Sequence, residues 1–218
     1  EDGFIGYGLR KDEFVKECSD LDDIIVIRKD GKLVVSRIAE KTFVGKEIAS
    51  VDVWKKGDER TTYNLIYLDG ETGRAMAKRF NVTAVTRDKE YDLTRGHPKS
   101  KLLYLSANTE GEAEVVTVHL SAGCKAKIKV FDFDFAGLEI KGRSSQGNIV
   151  TKYPVRKIAL KERGKSTLSA QLVWYDTATG RFNSEQRGVY LGGLNKGDQL
   201  IAIYRNGCYE ITDYDFNN

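Results

Sequence analysis

Short apolar runs of period two, broken by turns that demand positive φ, constrain this chain more than any other feature. From Ile24 to Ile27 the sequence reads Ile-Ile-Val-Ile, reaches Asp30-Gly31, and continues as Leu-Val-Val-Ser-Arg-Ile to Ile38. Both central residues of a type I′ turn need positive φ, which Asp and Gly tolerate, so this stretch predicts a β-hairpin. Gln199 to Thr212 repeats the pattern around Asn206-Gly207, and Tyr63 to Phe80 repeats it around a longer turn from Asp69 to Gly73. A helical period fits almost nowhere, and the chain is expected to be all-β.

The hairpins resemble one another. Gly31-Lys-Leu-Val-Val-Ser-Arg37, Gly73-Arg-Ala-Met-Ala-Lys-Arg79 and Gly147-Asn-Ile-Val-Thr-Lys152 each carry a basic residue late on what reads as an outgoing strand. Gly31, Gly73, Gly111, Gly147 and Gly207 recur at intervals of 42, 38, 36 and 60, with Leu172 to Gly180 as a partial further copy in the last gap. Units of about 40 residues with several strands each are the sequence form of propeller blades. Turn glycines occur in any antiparallel protein, so an ordinary β fold remains the alternative on this pattern alone. The expectation is one domain over residues 1–218, a β-propeller or pinwheel of about five four-stranded blades, open or truncated.

A chain of 218 residues, 40% hydrophobic and 31% charged, is long enough to bury a substantial core. It has no apolar run of membrane-spanning length and no signal-peptide pattern near its start, so no membrane role is expected. A start at Glu1 without methionine is expected of a piece of a longer polypeptide. Cys18, Cys124 and Cys208 are too far apart for a CxxC pair and odd in number, which fits a reducing cytoplasm rather than a disulfide framework. Net charge is only +3, but its distribution is uneven: from Lys141 to Lys165 eight Lys or Arg face one acid, Glu162. One edge or face is expected to be positive.

Motifs for other chemistry are weak. Ala159-Leu-Lys-Glu-Arg-Gly-Lys-Ser166 mimics a phosphate-binding loop, yet its loop residues are bulky and Leu168 to Tyr175 reads as a strand where a helix is required. His97 and His119 have no second ligand at metal spacing. Phe131-Asp-Phe-Asp-Phe135 sets Asp132 and Asp134 on one strand face and three aromatics on the other. That pair reads as a wet acidic face, with a carbohydrate-active propeller enzyme as the catalytic alternative. Repeated cations on equivalent strands, by contrast, would suit the phosphates of bent duplex DNA.

Larger segments carry a family resemblance. Gly6-Tyr-Gly-Leu-Arg-Lys-Asp-Glu-Phe-Val15, Asp22 to Arg37, Tyr63 to Phe80, Val85-Thr-Arg-Asp-Lys-Glu-Tyr-Asp-Leu93 and Ile140-Lys-Gly-Arg-Ser-Ser-Gln-Gly-Asn-Ile-Val-Thr-Lys152 resemble the C-terminal domain of the DNA-cleaving subunit of bacterial type IIA topoisomerases, DNA gyrase and topoisomerase IV. Among these they are most similar to topoisomerase IV of Bacteroidetes type. The resemblance weakens between Ser166 and Gly197. It implies a pinwheel whose blades exchange strands and whose basic perimeter binds and bends duplex DNA without sequence preference, presenting the transport segment to the cleavage core. Carried over by position, the implied phosphate contacts are Arg37, Lys41, Lys46, Arg74, Lys78, Arg79, Lys152, Arg156 and Lys157.

The resemblance also implies that the domain is not an enzyme on its own and holds no cofactor or metal. ATP and magnesium would act elsewhere, in a complex with the rest of the DNA-cleaving polypeptide and with a separate ATPase subunit, in the bacterial cytoplasm at the chromosome. The gyrase box Gln-Arg-Arg-Gly-Gly-Lys-Gly is replaced here by Glu40-Lys-Thr-Phe-Val-Gly-Lys-Glu47, which echoes it only at Gly45 and Lys46 and so favours topoisomerase IV over gyrase. A propeller serving as a protein-interaction platform is the principal alternative.

Overall fold

The computed structural model describes residues 2–9, 13–195 and 198–213. Arg10, Lys11 and Asp12 of the Gly6–Val15 motif lie outside the described residues. Among those described, strands account for the regular structure apart from one 3-10 turn, Phe135–Gly137. The chain divides into two compact units, Glu1–Thr167 and Leu168–Asn218, where the sequence led us to expect one domain.

Three sheets of the first unit share a plan: an inner strand, an outgoing partner across a hairpin, and a returning strand on the inner strand's other edge. The inner strands are Asp23–Arg28, Thr62–Leu68 and Val115–Leu120. Their outgoing partners are Lys32–Arg37, Ala75–Asn81 and Val130–Asp134, and the returning strands are Ile48–Trp54, Lys101–Asn108 and Val155–Glu162. Gly31 and Gly73 sit at the first two hairpins with φ of 85° and 70°.

The first two sheets each receive a strand from later in the chain. Tyr91–Asp92 pairs with Leu33 and Lys32, and the Lys32 ammonium meets Asp92 at 2.7 Å. Ile140–Gly142 runs parallel to Ala75–Asn81, while Asn148–Thr151 pairs with the same strand antiparallel. Gly147-Asn-Ile-Val-Thr-Lys152 is therefore not the outgoing arm of a hairpin, as its composition led us to expect, but a segment laid back on an earlier sheet. The first sheet holds the expected four strands, and the other two depart from it with five and three.

Alternation explains the layering. Ile25, Ile27, Leu33 and Val35 from the first sheet pack with Tyr63, Leu65, Tyr67, Met76 and Phe80 from the second. The second sheet's other face contributes Ile66, Ala75 and Ala77, which pack with Val116, Val118 and Leu120 of the third and with Phe135 of the 3-10 turn. The middle sheet is thus buried on both faces, whereas Val115, Thr117 and His119 of the third stay only partly covered. Phe4–Ile5 pairs with Thr42–Phe43 and seals Ile24 and Val26 through Ile5 and Val44.

In the second unit, Gln171–Asp176 pairs with Arg181–Asn183 and Val189–Leu194, and Gln199–Ile203 pairs with Tyr209–Asp213 as a two-stranded ribbon. Asn206-Gly207 turns that ribbon, with Gly207 at φ 84°. Val173 is the buried centre of the three-stranded sheet, and Trp174 packs on Tyr190 with ring centroids 5.0 Å apart.

Candidate nucleic-acid interface

Two of the nine expected phosphate contacts are structural. Arg79 is 1% exposed. Its guanidinium donates to Asn64 Oδ1 at 3.0 Å, Thr167 Oγ1 at 2.9 Å and the Gly111 carbonyl at 2.8 Å. Asn64 in turn donates to Glu114, which also accepts from the Tyr104 hydroxyl at 3.0 Å and from Ser106 Oγ. Asn64 faces Arg79 on one side and Ser106 on the other, so the register itself assembles this network.

Lys78 points to the opposite face and is 4% exposed. Its ammonium donates to the carbonyls of Arg143 and Ser145 at 2.6 and 3.0 Å, filling the loop between the two strands that join Ala75–Asn81. Neither Lys78 nor Arg79 can present its charge to an external phosphate, because the middle sheet is covered on both faces. Both are internal ties and not the ligand contacts expected from sequence.

Burial lowers the Lys78 pKa from 10.5 to about 8. The unfolded chain keeps this proton to about pH 10 while the fold releases it near pH 8, so stability is expected to rise with pH between those values. Below pH 8 both states are protonated and the slope vanishes. Lys78→Met should flatten this rise, which is read from urea midpoints at about pH 7, 8.5 and 9.5. An equal rise in the variant would deny Lys78 that role.

The third sheet presents the exposed cations together. On its outer face the register sets Lys157 opposite His119, with Val130 on His119's other side. Where the sheet ends, Leu120 donates its N–H to the Lys129 carbonyl and Ser121 donates to the Pro154 carbonyl, at 2.8 and 2.9 Å. This draws the 121–129 turn, carrying Lys125, Lys127 and Lys129, beside the start of Val155–Glu162, carrying Arg156 and Lys157 with Lys152 just before. All six are exposed, and among the described residues none makes a salt bridge. Lys125, Lys127 and Lys129 were not singled out from sequence. Their signal was a lysine at every second position from Lys125 to Lys129.

The far end of the same face is neutralised. Asp132 accepts from Thr117 Oγ1 at 2.8 Å and pairs with Lys161, which holds its carboxyl below the usual carboxylate range. Asp134 instead caps the 3-10 turn through the Ala136 N–H at 2.7 Å. The two carboxylates therefore have separate structural partners and do not converge as an acid pair.

The remaining expected contacts are exposed but dispersed. Arg37 ends the Lys32–Arg37 strand, and Arg74 precedes the Ala75–Asn81 strand. Lys41 stacks over the Phe4 ring at 4.3 Å and Lys46 follows Gly45. Gly45 takes φ 97°, and a Cβ there would collide with the Arg28 side chain, so the loop at the gyrase-box position is held by Arg28 and by the Val44 N–H bonded to the Gly3 carbonyl.

The phosphate-loop mimic is a strap. Ala113 N–H bonds to the Lys165 carbonyl, Thr167 N–H bonds to the Gly111 carbonyl, and Gly164 at φ 66° lies where any Cβ would strike the Ala113 carbonyl. The next regular element is the strand Gln171–Asp176, not a helix. Among the described residues no group of three or more His, Cys, Asp or Glu is placed to hold a metal, and no helix is long and apolar enough to cross a membrane.

Residues 1–163 match the family model for the topoisomerase C-terminal domain of Bacteroidota. No curated protein matches the chain. Among solved structures, one similar chain is the C-terminal domain of DNA topoisomerase IV: 10% identity, TM-score 0.46, covering 87% of this chain and 69% of that one.

Proposed function

Because the chain belongs to the topoisomerase C-terminal domain family of Bacteroidota, we propose that it binds duplex DNA through phosphates, with little sequence preference, and bends it for a type IIA topoisomerase of the topoisomerase IV kind. The observation that carries this reading is the set of six exposed cations, none in a salt bridge among the described residues, at the end of the third sheet where the 121–129 turn meets the start of Val155–Glu162, while Asp132 is paired with Lys161 and Asp134 caps the 3-10 turn. Cations free of internal ion pairs retain their full charge for an external anion and release counterions on binding. The backbone pairing of the third sheet fixes that face, so it suits holding a curved path rather than reading base edges.

In this reading the domain presents a transport segment, while cleavage, ATP and magnesium belong to the rest of the DNA-cleaving polypeptide and to the ATPase subunit in the bacterial cytoplasm. A duplex of about 40 base pairs with a dye at each end tests the bending: a rise in energy transfer on saturation supports it, and binding without such a rise removes it.

One observation favours a second reading, a protein-interaction platform. The Gln199–Ile203 and Tyr209–Asp213 ribbon pairs Ile201 with Ile211 and Ile203 with Tyr209, and all four side chains are exposed. An apolar face of this kind is a recognised mark of protein contacts, whose strength would vary little with salt.

A further inference from the structure

A second basic feature lies apart from the six-cation face. The hairpin turn after Thr62–Leu68 and the back-laid strand Asn148–Thr151 enclose a cavity of about 390 Å³. Its lining brings Arg74, just before the outgoing strand, together with Arg95, from the loop after Tyr91–Asp92, and adds Gln146 and Asn148. Both arginines are exposed, and among the described residues neither makes a salt bridge.

The carboxylate in the wall is Asp69. It is buried and occupied with its own turn, accepting from Thr72 Oγ1 at 2.7 Å and the Glu71 N–H at 3.1 Å. Its charge offsets about one guanidinium and leaves the cavity positive. The walls are held in place: Ile149 and Asn148 are in register with Met76 and Ala77, and Lys78 fixes the loop that leads into Gln146. Two arginines, with guanidinium forks, and two residues with amide donors lining one concave, net positive space supply the donor types that the tetrahedral oxygens of a phosphate take.

We propose that this cavity is a binding site for a single phosphate group, clamped by Arg74 and Arg95 with Gln146 and Asn148 as further donors. Resting on the DNA reading above, the phosphate is a diester of the duplex backbone, and the site fixes where the duplex runs once it leaves the six-cation face. Arg74 was expected from sequence as a phosphate contact. Arg95, Gln146 and Asn148 were not, because residues so distant in the chain meet only through the back-laid strand.

The test compares the wild-type chain with Arg74→Gln/Arg95→Gln in duplex titrations at several salt concentrations. The double variant is expected to bind about five- to thirty-fold more weakly at 0.1 M salt, with the log–log salt slope reduced by about one. Wild-type binding with an unchanged slope and affinity in the variant would overturn the proposal and leave the DNA reading standing. Should the wild type bind no DNA, the DNA reading falls and the cavity is judged with dimethyl phosphate and inorganic phosphate by NMR. Saturable shifts of the Arg74 and Arg95 Nε–H signals support a phosphate site; unmoved signals overturn it. Dimethyl phosphate mimics the backbone diester, so a response to inorganic phosphate alone would overturn the diester assignment.

Discussion

Replacing Arg79 with alanine is expected to lower the unfolding free energy by about 3–5 kcal/mol, while Arg37→Ala, at the matching place in the first sheet, should change it by less than about 0.5 kcal/mol. The two residues occupy equivalent positions after Gly73 and Gly31, so the contrast isolates environment from local sequence. Arg79 holds Asn64, Thr167 and the Gly111 carbonyl at once, joining the middle sheet to the strap that closes the first unit. Truncation leaves the buried Asn64 Oδ1 without its guanidinium donor, removes the ties to Thr167 and to the Gly111 carbonyl, and opens a cavity. Arg37 is exposed at its strand's end and leaves nothing unsatisfied. Urea unfolding of both variants decides it; an Arg79→Ala cost below about 1 kcal/mol would mean the network is not holding the two parts together.

Charge reversal at Lys125, Lys127 and Lys129 together, or at Lys152, Arg156 and Lys157 together, is expected to weaken duplex binding by about 10²–10³-fold at 0.1 M salt. A slope near 0.9 per phosphate makes each contact worth roughly a factor of eight between 0.1 M and 1 M salt, so three lost contacts reach that range. The loss should be the same for unrelated duplex sequences, and the salt dependence should flatten. Alanine at His119 or Asp132 is the control. His119 is central but not needed as a cation, and Asp132 is already engaged with Thr117 and Lys161, so affinity should stay nearly unchanged. If either triple reversal leaves affinity intact, that half of the face is not part of the interface.

The hairpins at Asp30-Gly31, Asp69–Gly73 and Asn206-Gly207 were legible because each turn sets a glycine at positive φ, a local demand written in local sequence; Asp30 and Asn206 do not share it, so the turns at these two pairs are not the type I′ form expected of them. Strand exchange was not legible from pattern alone: Gly147 to Lys152 has the composition of an outgoing strand, and only long-range pairing with Ala75–Asn81 distinguishes it. The two misplaced contacts share one cause. Tyr63-Asn-Leu-Ile-Tyr-Leu68 and Ala75-Met-Ala77 are nearly continuous apolar runs, the signature of a sheet covered on both sides, and cations within such a sheet are internal ties. The burial of Val115 to Leu120 alternates strictly, and this marks a half-open sheet at whose end cations gather. The cluster itself joins residues 125–129 to residues 152–157 through register, which no local window contains.

Fluorescence anisotropy of a labelled duplex of about 40 base pairs, titrated with this chain across salt concentrations, bears most directly on the central claim. Binding that ignores sequence and weakens with a log–log slope of about three or steeper is the predicted result. Affinity indifferent to salt, or no binding even at low salt, would contradict it.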